Sequence, residues 1–295
     1  MRYNIKPNSF AKVKRNHLIF GALYLLFGLF IFIGSFTIRA VKAFTPSLYT
    51  DYIARVQVNT SIYNPIYQIT VDKINRIILI FEKIPFMLIV GIILILSATI
   101  HIVVILKKVN ANYNNNLQLG VVKSRALEGM ITSILLPLLA ILVGINDIAV
   151  ILLLLILGIV YHFLALSMEQ VNSKQEKSSW GNFIAMFLIF AVSAGSLVIT
   201  ILKQLELQQI LLDNATIAVP YLKTFNFIVL GIYFGFWFIS LLHTFLQNKK
   251  VAIWKNPVYV ENVNIILNFV TKVAIVFMLF YGLVNKLFTI YYTNL

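Results

Sequence analysis

The sequence predicts an all-α membrane protein whose seven transmembrane helices form one rhodopsin-like bundle. It is 60% hydrophobic and only 12% charged, about half the charge of an ordinary soluble domain. Its apolar residues fall in seven continuous runs of the length, about 20 residues, that one helix needs to cross a bilayer. The runs lack the period-two alternation of barrel strands. Lipid offers the backbone no hydrogen bonds, so only helices or a closed barrel can span it. With the barrel excluded, we predict helices.

The predicted spans belong to one domain, residues 1–295. They lie at 18–38, 84–106, 126–146, 148–168, 181–202, 225–246 and 263–289. The first follows a basic segment and resembles a signal peptide. Its apolar stretch is longer than a usual signal sequence and six more spans follow it, so we interpret it as a retained helix. Residues 144–147 predict a tight turn between the third and fourth spans, since Asn and Asp cap their own backbone.

The distribution of Lys and Arg predicts the orientation. The N-terminal segment and three loops on its side carry five, four, two and three basic residues, fourteen in all. The opposite side carries six in the loop 39–83, two in 203–224 and Lys286, nine in all. We therefore expect a multi-pass protein of the cell membrane with a cytoplasmic N-terminus and an extracellular C-terminus.

The long loop 39–83 predicts a small extracellular β-hairpin. Residues 55–59 and 66–71 alternate partly between apolar and polar side chains around Asn64-Pro65. Two glycosylation sequons, at residues 59–61 and 214–216, fall on the same predicted outer side.

Composition excludes several classes of function. The chain has no cysteine, so it has no disulfide framework and no thiolate site. The formal charge of +14 lies in short loops between apolar spans, which is typical of topology determinants and not of nucleic-acid binding. The spans contain no metal-ligand cluster and no nucleophile–base pair, so we expect no enzyme.

Two charges inside the predicted spans are the most informative feature. Lys272 lies deep in the seventh span, and Glu128 lies one turn into the third; the other nine acidic residues fall in loops or at span ends. An isolated charge at such depth costs at least about 2.5–3.5 kcal/mol. Lys272 is too deep to reach the interface by extending its side chain. The pair predicts either a cationic cofactor linkage with its counterion or a purely structural ion pair.

Polar and aromatic side chains at helical spacing surround this pair. Asn268 precedes the lysine by four residues and shares its helix face. The further candidates for cofactor binding are Thr132, Ser133 and Trp237, the last beside Tyr233, Phe234 and Phe236. A polar cluster is expected from Ser97 and His101. Two further histidines, His162 and His243, also fall within predicted spans.

Five segments, taken in order, resemble the heliorhodopsins, a family of retinal-binding proteins with inverted topology. They are Leu96-Ser-Ala-Thr-Ile-His101, Arg125-Ala-Leu-Glu128, Gly144-Ile-Asn-Asp-Ile148, Leu267-Asn-Phe-Val-Thr-Lys272 and Gly282-Leu-Val284. The chain departs from the family pattern at three positions. Asn268 stands where Ser is usual, and Gly129 replaces a bulky aromatic. Tyr24 stands where helix one often carries a histidine, so we expect Tyr24 to join Ser97 and His101 in the polar cluster.

The resemblance implies that all-trans retinal forms a Schiff base with Lys272, with Glu128 as counterion. It also implies a homodimer associated with the β-hairpin. Proton pumps of the wider superfamily use a relay of carboxylates, and no second acid lies within the predicted spans. We therefore expect a light sensor or regulator that acts in the lipid membrane through a signalling partner. The alternatives are a light-gated passive proton or ion conductor, and a retinal-free seven-helix transporter or channel gated by the ion pair.

Overall fold

A computed structural model describes residues 3, 7–46, 48–53, 74–81, 83–145, 147–174, 178–213 and 224–287. The helices are α1 (Pro7–Thr37), α2 (Arg39–Lys42), α3 (Phe86–Ile105), α4 (Lys107–Gln118), α5 (Lys123–Thr132), α6 (Leu135–Leu142), α7 (Ile148–Lys174), α8 (Gly181–Asp213), α9 (Thr224–Lys249) and α10 (Pro257–Val284). A short 3₁₀ helix, Ala252–Lys255, precedes α10. In this part of the chain, seven helical stretches are long and apolar enough to cross a bilayer, with α5 and α6 forming one of them. The predicted all-α seven-helix fold is therefore confirmed.

Several helices extend well beyond the predicted spans. Helix α1 begins at Pro7, eleven residues before the predicted start at 18, and α10 begins at Pro257 instead of 263. Asn256 caps α10 by accepting a hydrogen bond from the Val258 amide over 3.0 Å, and Pro257 occupies a first-turn position where a missing N–H costs nothing. These longer helix ends carry polar side chains into the protein.

Helix α1 packs along α3, and a glycine permits the close approach. A Cβ added to Gly91 of α3 would lie 3.0 Å from the backbone nitrogen of Phe32 in α1. Small residues at helix interfaces allow such contacts within a membrane. The two helices that carry Tyr24, Ser97 and His101 are thereby held close together.

The third membrane crossing is broken just past Glu128. Helix α5 ends at Thr132 and α6 begins at Leu135. Pro137 has no N–H to donate to the Ser133 carbonyl, and Leu136 donates to that carbonyl instead over 3.2 Å. All eight residues of α6 are buried. The turn that follows has Gly144 at φ 88°, and the Asp147 carboxylate accepts from the Ala149 amide over 2.7 Å, as the sequence predicted.

The loop after α2 contains an antiparallel pair of strands, β1 (Leu48–Ile53) and β2 (Ile74–Phe81). They pair from Leu48–Phe81 to Ile53–Ile74, and the register shifts after Leu48 and after Thr50. The predicted strands at 55–59 and 66–71, and both glycosylation sequons, lie outside the described residues. At the opposite end of the bundle, the Tyr3 amide donates to the Gln118 carbonyl of α4 over 2.9 Å. We call that end, where α1 begins, the N-terminal side.

Candidate functional site

Helix α10 brings Lys272 against Glu128 of α5. The lysine is 1% exposed and the glutamate 4% exposed, and the two side chains form a hydrogen-bonded ion pair. Lys272 Nζ also donates to Ser97 Oγ of α3 over 3.0 Å. In the described part of the chain, Ser97 and Glu128 are the hydrogen-bond partners of Nζ. Asn268 is therefore not one of them, although it lies one turn away.

The aromatic and imidazole rings of Tyr24 and His101 complete the surroundings of the pair. His101 Nε2 lies 3.5 Å from Glu128 Oε1, and the Tyr24 ring centroid lies 5.0 Å from Lys272 Nζ. The Tyr24 hydroxyl has no hydrogen-bond partner among the described residues. Tyr24 therefore contributes its ring face to the lysine, within the range of a cation–π contact.

His17, the one histidine of the sequence that we had not placed in a span, lies next to His101 in this cluster. Its Nδ1 lies 2.7 Å from His101 Nδ1, and its Nε2 lies 3.0 Å from the Tyr113 hydroxyl of α4. His17 on α1 therefore contacts His101 directly, which we did not predict; that Tyr24 stands at the family's helix-one histidine position stays a prediction. His17 was missed because we began the first span at residue 18. Its spacing of seven residues from Tyr24 places both on one helix face and was the signal available.

Two further carboxylates, which we had placed at span ends, are buried within the protein. Glu261 of α10 is 2% exposed and Glu169 of α7 is 7% exposed. Arg125 of α5 pairs with both: it forms a salt bridge with Glu169, and its Nη1 lies 3.5 Å from Glu261 Oε2. Glu169 also accepts from the Val122 amide over 2.9 Å and from Gln247 over 3.2 Å.

Tyr113 links the histidines to Glu261. Its hydroxyl donates to Glu261 Oε1 over 2.7 Å. Burial, and then the negative charge of Glu261, raise the pKa of Tyr113 well above its usual range. Tyr113 therefore holds its proton and acts as a hydrogen-bond donor at neutral pH.

A cleft with aromatic walls lies beside the ion pair. It is lined by Gly129, Thr132, Ser133, Leu136, Gly158, His162, Tyr233, Phe236, Trp237, Ser240, Asn268 and Thr271. Thr132 and Ser133 donate their hydroxyls to the backbone carbonyls of Glu128 and Gly129, over 2.7 and 3.0 Å. The Trp237 ring stacks on Phe234 at a centroid distance of 6.0 Å. Four of the predicted cofactor-binding residues line this one cleft: Thr132, Ser133, Asn268 and Trp237.

These residues fit a flat, apolar aldehyde. The Lys272 amine and the Glu128 carboxylate are buried together, as a cationic linkage needs. Aromatic rings line the cleft that their chain neighbours Thr271 and Gly129 border, as a polyene needs. The cleft has a volume of about 70 Å³. His243 lies elsewhere, under the Trp254 ring at a centroid distance of 4.6 Å.

A buried lysine on the last of seven membrane helices, paired with a carboxylate beside an aromatic cleft, defines the retinal-binding rhodopsin class. Within that class, the family model of the heliorhodopsins matches residues 37–284. The chain belongs to the heliorhodopsin family. No curated protein matches its sequence.

Family membership makes this chain a multi-pass membrane protein that binds a retinal chromophore and senses light. The matched range includes Glu128, the broken third crossing and Lys272. It begins at the end of α1, so His17 and Tyr24 lie before it.

Proposed function

We propose that all-trans retinal binds to Lys272 through a Schiff base, with Glu128 as its counterion, and that the protein acts as a light sensor or regulator. The observation that carries this proposal is the buried Lys272–Glu128 pair, whose chain neighbours Thr271 and Gly129 line the aromatic cleft. When bound, retinal supplies absorption of visible light and a change of shape on isomerisation. The polar groups around it hold and move the charge.

Glu128 stabilises the positive charge at Nζ, and Ser97 accepts a second hydrogen bond from it. Both partners are almost fully buried, so water screens their attraction little. Displacing the nitrogen would therefore weaken a strong interaction and leave Glu128 free to accept a proton. Trp237 and Tyr233 would exclude water from the same space.

The protein interior supports a sensor over a pump. A pump needs a path for protons to both membrane faces. On the N-terminal side, the described core is rich in titratable groups, but on the other side it contains α6, whose residues Leu135–Leu142 are all apolar and buried. Proton movement confined to one half of the bundle changes charge and shape without net transport.

The direct test is spectroscopic. Protein expressed with all-trans retinal should show a visible band that hydroxylamine bleaches and that Lys272→Ala lacks. Borohydride reduction of the wild-type pigment, followed by peptide mapping, should place the retinyl group on Lys272 without depending on how the variant folds. Wild-type protein that forms no band, under conditions where a control rhodopsin does, would favour the retinal-free transporter or channel.

Photocurrent separates the sensor from the conductor. Voltage-clamped cells that express the pigment should show at most brief charge displacement at light onset. A sustained current that follows the membrane potential would instead establish a light-gated passive conductor. The buried N-terminal network keeps that second candidate open, because it provides half of a conducting path.

We also propose a cytoplasmic N-terminus, because of the excess of basic residues on that side, and a homodimer that acts on a signalling partner. Single cysteines test the orientation without background, since the chain has none. Lys255→Cys on the N-terminal side and Asn285→Cys just after the end of α10 are both at exposed positions outside the membrane-spanning helices. An impermeant maleimide added to intact cells should label the second and spare the first, and the opposite pattern would reverse the topology. Cross-linking in the membrane tests the dimer.

A further inference from the structure

We propose that Glu261 is the residue that receives the proton released from the Lys272–Glu128 pair after illumination. This proposal rests on the proposed function, since it requires a chromophore on Lys272. It assigns a role to a carboxylate at the N-terminal end of α10 that is 2% exposed.

A continuous series of contacts joins the two carboxylates. Glu128 Oε1 lies 3.5 Å from His101 Nε2, and the His101 and His17 Nδ1 atoms lie 2.7 Å apart. His17 Nε2 then lies 3.0 Å from the Tyr113 hydroxyl, which lies 2.7 Å from Glu261 Oε1. Three of the four links are within ordinary hydrogen-bond distance, and the first needs only a small approach.

The donor directions along this series all point to Glu261. Tyr113 donates its proton to the carboxylate, so its oxygen accepts from His17 Nε2–H. In the tautomer in which His17 is neutral and carries its proton on Nε2, its Nδ1 accepts from His101 Nδ1–H. That tautomer leaves His101 Nε2 with its lone pair facing Glu128. The atom also has no hydrogen-bond partner among the described residues. Each group can therefore take a proton on one side and release one on the other.

The transfer balances without a further reactant. The N–H bond at Lys272 breaks, and Glu128 takes that proton and passes it to His101 Nε2. His101 releases its Nδ1 proton to His17, His17 releases its Nε2 proton to Tyr113, and Tyr113 releases its own to Glu261. The net result is one N–H bond lost at Lys272 and one O–H bond gained at Glu261. Glu128 and the three relay residues end with the charges they began with.

The surroundings of Glu261 explain why it should accept this proton. Arg125 is shared between Glu169 and Glu261, so one cation faces two buried carboxylates. Like charges at one site disfavour full ionisation of both. Protonation of Glu261 removes the surplus negative charge and leaves a single Arg125–Glu169 pair. Glu169 is the poorer acceptor, because it already accepts from Arg125, Gln247 and the Val122 amide.

Light-induced infrared difference spectroscopy tests the proposal on the whole pigment. Wild type should show the carbonyl stretch of a newly protonated carboxylic acid as the Lys272 nitrogen loses its proton. Glu261→Gln should lose that band, and Glu169→Gln, which removes a carboxylate from the same arginine but not from the relay, should keep it. Tyr113→Phe, which removes the relay hydroxyl, should slow the rise of the band by about tenfold or more.

The outcomes separate this proposal from the proposed function. A wild-type pigment whose band persists in Glu261→Gln would overturn the role of Glu261 and leave the retinal linkage intact. Loss of the band in Glu169→Gln with retention in Glu261→Gln would assign the acceptor to Glu169. Failure of wild type to form any pigment would overturn both proposals.

Discussion

The imidazole of His162 occupies the space that a side chain at position 129 would fill. A Cβ built on Gly129 clashes with three atoms of the His162 ring. The glycine follows the counterion directly on α5, and His162 reaches it from α7. The ring also lines the aromatic cleft. The His162 ring can therefore lie against α5 only because residue 129 has no side chain.

Gly129→Ala should displace the His162 ring and destabilise the protein by about 1–3 kcal/mol, the usual cost of overpacking. Thermal bleaching of the visible band in detergent would measure the loss. The double variant Gly129→Ala/His162→Ala should recover most of it, because the clash is removed. An additive double variant would show that the two residues do not compete for the same space.

Glu128→Gln should shift the main absorption band at neutral pH to shorter wavelength, because a neutral amide no longer stabilises a positive charge on the Lys272 nitrogen. Lowering the pH should restore the visible band. Glu169→Gln, which removes a buried carboxylate on another helix, is the matched control and should keep the wild-type band. An unchanged spectrum in Glu128→Gln would mean that another group is the counterion.

Arg125→Gln should destabilise the protein by about 3–5 kcal/mol, since it leaves two buried carboxylates without their cation. Adding Glu261→Gln to this variant should recover part of the loss by removing one of the unpaired charges. The thermal midpoint of unfolding, followed by circular dichroism, measures both effects. Equal midpoints for the single and double variants would show that Glu261 is not held by Arg125.

Trp237→Ala should speed hydroxylamine bleaching several-fold, because it removes the ring that stacks on Phe234 and closes the cleft. Trp237→Phe keeps a ring at the same place and should bleach at a rate close to that of wild type. Single-exponential bleaching rates in the dark provide the comparison. Identical rates in the Ala variant and wild type would remove Trp237 from the retinal site.

The features predicted correctly are those that depend on composition and on the spacing of residues within a single helix. Seven long apolar runs can be hidden only as membrane helices, and a lysine as deep as Lys272 needs a partner wherever it packs. The tight turn before Asp147 follows from local backbone chemistry.

The ends of the helices were predicted less well, and the errors have one cause. An apolar run stops at the first polar or charged residues, so residues before 18, after 168 and before 263 were assigned to loops. His17, Glu169 and Glu261 are buried because they satisfy one another with Arg125 and Tyr113. The polar stripe of Glu261, Asn264, Asn268 and Lys272 on one face of α10, with Asn256-Pro257 before it, was the available signal.

By itself, the sequence determined the class of the protein, the number of membrane crossings and the two charges that must be buried. Those properties depend on the energy of transferring each segment into lipid, and each segment contributes largely on its own. Only the tertiary structure decided which polar groups meet. Ser97 binds Lys272, His162 fills the space beside Gly129, and a series of two histidines and Tyr113 lies between Glu128 and Glu261. Contacts between helices depend on their relative rotation and depth, and no single helix specifies these.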